Sequence, residues 1–482
     1  MKRTWIFVVG TAVGVVMLLM VTRCGVVPDE TPTAENRPPN VVVLFADDLG
    51  YGDLGVYGNP AIRTPNLDEM AEEGQKWTNF YVGASVCSPS RAALLTGRLP
   101  VRSGMYGTQE RTRVLFPDTP GGIGANETTL AEALRARGYA TGIVGKWHLG
   151  HLPEHLPMVH GFDRWFGLPY SNDMQQTAER DAPFLASIFL RPRSEYWNVP
   201  LMRDEEILEQ PADQTQLTRR YTEEARAFIE VNREQPFFLY VPYTMPHVPL
   251  FTDEAFVDVS AAGLYGDVVE EIDWSVGQIL DTLREHELDG RTMVLFTSDN
   301  GPWLVYQQQG GSAGPLRQGK ATTFEGGMRV PAIFWWPGTI PRATVHEMGS
   351  TLDVFTTAIT LADGEAPADR PVDSLDLTPV LFQTGASPRN TMFYYRADEL
   401  HAVRKGLFKA HFITEGSYGE PPAREEHDPP LLYHLGEDPA EQFDVGPQYP
   451  DVIADILAEV KVHRQGLDVA PSVFDLRSPP EQ

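Results

Sequence analysis

Cys87 is one of only two cysteines in the 482-residue chain, and its surroundings are suited to chemistry. It opens the run Cys87-Ser88-Pro89-Ser90-Arg91-Ala92-Ala93-Leu94-Leu95-Thr96-Gly97-Arg98. Ser88 and Pro89 mark a helix start, and Ala92–Leu95 continue it. Cys87 is therefore expected at the helix N-terminus, where free N–H groups and the helix dipole favour an anion. Arg91, four residues on, lies on the same face and projects back toward that end. The pattern describes a nucleophile in an anion-attracting pocket. The plainer reading is a buried structural cysteine beside a surface arginine. With Pro and Arg each near 5% usage, however, Pro at +2 and Arg at +4 accompany a cysteine by chance about once in 400.

Two further constellations offer metal ligands. Asp47-Asp48 and Asp299-Asn300 supply three carboxylates and an amide oxygen, all hard donors suited to Ca²⁺ or Mg²⁺ rather than zinc. Candidate acid/base and anion-binding groups are Lys146 and His148 in Gly145-Lys146-Trp147-His148-Leu149-Gly150, His247 in Met245-Pro246-His247-Val248-Pro249, and Lys320 in the glycine-rich loop Gly319–Gly327. In an extended chain residues two apart point the same way, so Lys146 and His148 are expected to share one side. Singly, an acidic pair is a cap and a loop Lys or His is solvated surface. What sets these residues apart is their recurrence after apolar runs.

Those runs are the elements that must position the site. Val41–Ala46 empties into Asp47, Phe237–Tyr243 into Met245-Pro246-His247, Met293–Ser298 into Asp299, and Thr141–Val144 into Gly145-Lys146. Helical 3.6 periodicity marks Leu67–Gly74, Thr129–Arg137, Thr222–Asn232 and Asp267–Glu285. Strands alternating with helices predict an α/β fold: a large, mostly parallel sheet sandwiched by helices, with ligands bound beyond the carboxyl ends of its strands. From about residue 390 short runs at Thr391–Tyr395, His401–Arg404, Leu407–Phe412 and Leu431–Leu435, then a helix at Asp451–His463, predict a smaller α+β domain with an antiparallel sheet. The organisation expected is an N-terminal segment 1–24, a linker 25–38, a catalytic domain 39–389 and a C-terminal subdomain 390–482.

A net charge of −27 leaves no basic stripe to neutralise phosphates and argues against nucleic acid as a partner. Two cysteines, Cys24 and Cys87, exclude a disulfide framework. Lys2 and Arg3 before the apolar run Trp5–Val21 have the layout of an export signal, and the run is at the short edge of what spans a bilayer. Cleavage and an uncleaved or lipidated anchor both fit: Cys24 resembles a lipoprotein acceptor, although Arg23 before it does not suit that signal. Either way the expected location is outside the cytoplasm, periplasmic or anchored on the outer side of a membrane. Residues 25–38, polar and rich in proline, read as a tether.

The Cys87–Arg98 segment resembles the signature of the type I sulfatases, C-x-P-S-R followed by Leu-Thr-Gly-Arg, in the alkaline-phosphatase-like superfamily. Asp47-Asp48-Leu49-Gly50, the six residues Gly145–Gly150 and Asp299-Asn300-Gly301 also match the family's motifs. The resemblance runs from about Pro39 to Asp444 and is strongest toward the branch containing arylsulfatase A and N-acetylgalactosamine-6-sulfatase. It implies that a maturation enzyme oxidises Cys87 to formylglycine, whose hydrate is the nucleophile. One Ca²⁺ is implied at Asp47, Asp48, Asp299, Asn300 and residue 87. Lys146 and Lys320 are implied to bind sulfate together with Arg91, His148 to take a proton, and His247 and Lys320 to assist the leaving oxygen. Ser171, in Leu168-Pro169-Tyr170-Ser171-Asn172-Asp173, matches a substrate-contacting serine of that branch. The expected substrate is a small-molecule or oligosaccharide sulfate ester. A formylglycine-dependent phosphate or phosphonate ester hydrolase is the alternative, and a non-catalytic carbohydrate-binding relative a third reading. Segments Asp173–Gln210 and Ser417–Pro430 are expected to set specificity, with no decodable pattern.

Overall fold

Runs of β-branched and aromatic residues between polar breaks fold as the strands of one ten-stranded sheet. In chain order these are β1 (Asn40–Ala46), β2 (Gln75–Tyr81), β3 (Ala140–Val144), β4 (Arg164–Gly167), β5 (Leu201–Arg203), β6 (Glu206–Glu209), β7 (Phe237–Pro242), β8 (Thr292–Ser298), β9 (Arg329–Trp335) and β10 (Ala343–Ser350). Across the sheet they are ordered β10-β2-β9-β8-β1-β7-β3-β4-β5-β6. The centre, β8-β1-β7-β3-β4, is parallel, as is the edge pair β10-β2. β9 runs antiparallel between β8 and β2, and β5 and β6 close the other edge antiparallel. The sheet is therefore mixed and mostly parallel.

Every residue of β1, β7 and β8 is buried, as a strand covered on both faces requires. The alternation of side chains sorts them into two cores. Val42, Leu44, Leu239, Val241, Val294 and Phe296 pack with helices Pro65–Glu73, Leu217–Asn232 and Gly263–Glu285 on one face. Val41, Val43, Phe45, Phe238, Tyr240 and Leu295 pack with helices Cys87–Thr96, Leu130–Arg135 and Asp353–Leu361 on the other. Each such side chain contributes roughly 1.5–3 kcal/mol when fully buried, so the central strand ends are held rigidly.

The structure is a computed structural model describing residues 1–2, 37–107, 113–179 and 187–476. The apolar run Trp5–Val21, Cys24 and all but the end of the 25–38 linker lie outside the described residues. A second, antiparallel sheet has the order β11 (Thr391–Arg396), β12 (Glu399–Lys405), β13 (Phe408–Thr414), β14 (Glu425–His434), followed by helix Pro450–Gln465. Its Met392, Tyr394, Val403, Ala410 and Leu432, with Ile456 of the helix, join the core that contains Val41 and Phe45. Residues from Pro38 onward accordingly form one compact unit.

Candidate active site

Four neighbouring parallel strands deliver the site from their carboxyl ends, and backbone bonds lock the exits together. Asp299 N–H donates to Ala46 O at 3.0 Å, Asp47 N–H to Met245 O at 3.1 Å, and Lys146 N–H to Pro242 O at 2.7 Å. Gly145 has to be glycine: its φ is +136°, and a Cβ there would lie 2.0 Å from Pro242 O.

Cys87 is the first residue of helix Cys87–Thr96, as its spacing predicts, and is buried with its thiol donating to Asp47 Oδ1 at 3.5 Å. Arg91 is fully buried rather than at the surface. Its Nε and Nη2 donate to Asp299 Oδ2 at 3.0 and 2.8 Å, its Nη1 donates to Lys146 O at 2.9 Å, and Asp47 Oδ2 lies 3.4 Å away. Arg91 thus clamps three strand ends, and its fork is engaged by protein.

The two lysines face the same place. Lys146 Nζ lies 2.5 Å from Asp47 Oδ2 and 3.2 Å from Ser171 Oγ. Lys320 Nζ is 2.7 Å from the Asp48 carboxylate, and the lysine is buried. His247 Nδ1 donates to Val248 O at 2.5 Å, which leaves Nε2 as the lone-pair nitrogen, 3.6 Å from Asp48 Oδ2; Ser171 Oγ is 3.5 Å away. His148 Nε2 donates to Leu115 O at 2.9 Å, so Nδ1 carries the lone pair, and that buried atom has no hydrogen-bond partner among the described residues. His148 differs from expectation in one respect. Its φ is +63°, so the chain has left the extended conformation; Lys146 and His148 meet through a left-handed turn and not by strand alternation.

One ligand atom each from Asp47, Asp48, Cys87 and His247 lie within 4.8 Å of one another. Asn300 Nδ2 donates to Asp48 Oδ1 at 2.7 Å, while its Oδ1 is buried without a partner among the described residues. An orphaned amide oxygen beside two carboxylates fits a hard cation, because an unsatisfied buried acceptor is otherwise costly. Asp299 adjoins that donor group: its Oδ2 faces Arg91 and its Oδ1 accepts from Asp48 N–H at 3.1 Å.

Burial dominates the electrostatics, and neighbouring charges then divide the groups. Burial raises Asp47, but Lys146 and Arg91 outweigh it and hold the carboxyl well below the usual range. Burial, reinforced by Asp47 against the opposing Arg91, pushes Asp299 up to about 7. Burial lowers His148 and His247, aided by Lys146 and Lys320 respectively, so both rings are neutral bases. Burial also raises the Cys87 thiol far above its ordinary value; an unmodified cysteine there is protonated and a poor nucleophile.

These groups open onto a cavity of about 350 Å³ lined by Cys87, His148, Ser171, His247 and Lys320. It is also lined by residues that the motifs do not include: Arg113, Asp173, Trp303 and Tyr418. Trp303 stands two residues after Gly301 of the Asp-Asn-Gly motif, a proximity that could have flagged it. Asp173 and Tyr418 fall in the two segments expected to set specificity. Asn172 was also missed; its Oδ1 lies 3.2 Å from His247 Nδ1.

A family model described as Sulfatase matches residues 39–364, and one described as C-terminal region of aryl-sulfatase matches residues 387–481. N-acetylgalactosamine-6-sulfatase of Sus scrofa is 43% identical over 472 residues, covering 90% of this chain and 87% of that protein. Arylsulfatase A of Bos taurus is 43% identical over 449 residues, covering 89% and 87%. The structure of Ps i-CgsB in complex with k-i-k-neocarrahexaose superposes with a TM-score of 0.73 at 27% identity, covering 90% of this chain and 94% of that one. Similarity of this extent, along the same stretch of chain that builds the strand-end cluster, means that the chain belongs to the sulfatase family of sulfuric ester hydrolases.

Proposed function

We propose that the protein hydrolyses sulfate monoesters of carbohydrates, using formylglycine made from Cys87 by a maturation enzyme and one bound Ca²⁺. The observation that carries this reading is the convergence on Cys87 of two ammonium groups, Lys146 and Lys320, each paired to an aspartate on a neighbouring strand exit. A sulfate ester carries negative charge that a nucleophile cannot approach until it is neutralised, and these cations face that position. The carbohydrate class is supported by the relatives: an N-acetylgalactosamine-6-sulfatase, and a structural neighbour bound to a hexaose.

Asp47, Asp48, Asp299 and Asn300, with residue 87, would hold the cation, and His247 lies in the same cluster. When bound, Ca²⁺ supplies positive charge at the sulfate oxygens. The hydrate of an aldehyde at residue 87 has two hydroxyls, of which one bonds to sulfur and the other permits the C–O cleavage that releases sulfate; a serine has only one. Asp299, held by Arg91, takes the proton of the attacking hydroxyl. Lys320 donates to the departing alcohol oxygen, with the neutral His247 ring beside it. His148, with Nδ1 unprotonated and facing no protein donor, takes the proton of the second hydroxyl. Ser171, between Lys146 and His247, orients the ester.

Peptide mass spectrometry across residues 80–98 of active protein tests the modification: an aldehyde in place of the thiol is expected. Full activity with an intact thiol overturns it. Parallel assays with phosphate and phosphonate esters decide between this reading and its alternative; a kcat/KM above that for sulfate esters would select the alternative. Export, by cleavage or anchoring of the N-terminal segment, is part of the same proposal and is tested by fractionation and by mass analysis of the mature N-terminus.

A further inference from the structure

The acidic excess of this chain, 66 Asp and Glu against 39 Lys and Arg, makes an arginine without a carboxylate partner informative. Arg113 is such a residue among those described. Its guanidinium donates to Ser417 Oγ and lies over the Tyr418 ring, 4.6 Å from the centroid, with no carboxylate of the described residues in ion-pair distance. It lines the cavity that contains Cys87, and it also lines an adjoining cavity of about 430 Å³ whose walls include Arg396 and Arg424. Those two arginines are paired, Arg396 with Glu415 at 3.1 Å and Arg424 with Glu399 and Glu426. Of these three arginines Arg113 is therefore the one without a carboxylate partner among the described residues, while Glu420 also lines the second cavity.

A continuous wall joins this arginine to the reaction centre. Lys320 Nζ lies 4.2 Å from the Trp303 ring centre, Trp303 is 5.1 Å from the Tyr418 ring, and Tyr418 carries Arg113. Cation, ring, ring, cation is a surface for a flat polar molecule with a charge at each end: aromatic faces take the apolar faces of sugar rings, and the fork of arginine takes an oxyanion in two parallel bonds. Asp173 lines the same cavity, and its buried Oδ1 has no hydrogen-bond partner among the described residues. A carboxylate there can accept from hydroxyl groups of a polyhydroxylated substrate.

We infer that Arg113, on the Trp303–Tyr418 wall, is a second anion subsite, so that the preferred substrate is a sulfated oligosaccharide bearing a further sulfate or carboxylate beyond the scissile ester. The inference rests on the sulfatase reading above and adds the chemistry of the leaving group. No new covalent step is involved; the second anion binds and is released with the sugar.

The test measures kcat/KM for three disaccharides of one sugar sequence: singly sulfated and otherwise neutral, disulfated, and singly sulfated with a uronate carboxylate. Wild-type protein is expected to favour the doubly charged substrates. Arg113→Gln is expected to lower the ratio of doubly to singly charged kcat/KM by about 10- to 100-fold, the range for losing a charge-assisted hydrogen bond, through KM more than kcat. Arg113→Lys should recover only part, since an ammonium keeps the charge without the fork. The disulfated and uronate arms show which oxyanion the subsite takes. If Arg113→Gln does not fold, Tyr418→Leu, which removes the ring beneath the guanidinium, replaces it and should lower the same ratio. A wild-type protein with no preference for the second charge, or a ratio unchanged in the variant, overturns the inference while leaving sulfate ester hydrolysis intact. Failure of the wild-type protein to cleave all three substrates and an aryl sulfate overturns the sulfatase reading, and the inference with it.

Discussion

Replacing Glu441 with glutamine removes the anion at the centre of a buried cluster that ties the C-terminal sheet to the loop bearing Lys320. Glu441 Oε1 accepts from Lys409 Nζ at 3.0 Å and from His411 Nε2 at 2.7 Å, and Oε2 accepts from Glu325 N–H at 2.7 Å. Glu325 in turn accepts from Lys409 Nζ at 3.0 Å and from Tyr81 Oη at 2.6 Å, five residues after Lys320. Burial raises the Glu441 carboxyl, but Lys409 and His411 overcome it and hold it at about 2, against an ordinary 4.5. At about 1.4 kcal/mol per unit, the folded state favours the carboxylate by roughly 3 kcal/mol. Breaking one partner out of a buried ion pair costs about 3–5 kcal/mol, a range that agrees. Urea denaturation at pH 7 should therefore show Glu441→Gln destabilised by about 3 kcal/mol. Because the folded pKa is depressed, this stability is fully present above pH 4.5 and is lost as pH falls toward 2. Glutamine does not titrate, so the gap between wild type and variant should narrow across that window. A loss under about 1 kcal/mol at pH 7, or a gap constant from pH 6 to pH 3, would refute the reasoning.

Asp47→Ala should abolish turnover and remove bound calcium, read by elemental analysis; retained calcium and activity would contradict the assignment of the donor group at the ends of β1 and β8. Gly301→Ala places a Cβ 1.8 Å from Gly326 O in the Lys320 loop, and overpacking there should cost about 1–3 kcal/mol in chemical denaturation, with reduced kcat. A net charge of −27 around a local cationic site predicts that oligosaccharides outcompete their parent polymers at low salt. The difference should shrink as the Debye length falls from about 10 Å at 0.1 M to about 3 Å at 1 M. A polymer that is the better substrate at low salt would show that surface charge does not set selectivity.

Local pattern was enough for the framework. The unbroken apolar run Val41–Ala46 could only be a strand covered on both faces, and the fully buried β1 flanked by β7 and β8 is what that run requires. Cys87, Ser88 and Pro89 fixed a helix start because φ restriction and free N–H groups are properties of adjacent residues, and the helix begins at Cys87. The residues named from motifs, Asp47, Asp48, Arg91, Lys146, His148, Ser171, His247, Asp299, Asn300 and Lys320, all lie at or around the strand-end cluster. What they do to one another was not legible. Arg91 meets Asp299 across 208 residues of chain, a pairing that no spacing along one helix could show. Lys320, unremarkable in a glycine-rich loop, is buried against Asp48 because β9 returns antiparallel beside β8 and brings its loop over the strand ends. Arg113, Trp303 and Tyr418 belong to three segments with no shared spacing, and only their packing makes them one wall. Hydrogen bonds, ion pairs and desolvation act over a few ångströms in space, whereas sequence spacing reports neighbours along one helix or strand. Chemistry carried by a single element can be read from its residues; chemistry assembled from several appears only when the sheet brings their ends together.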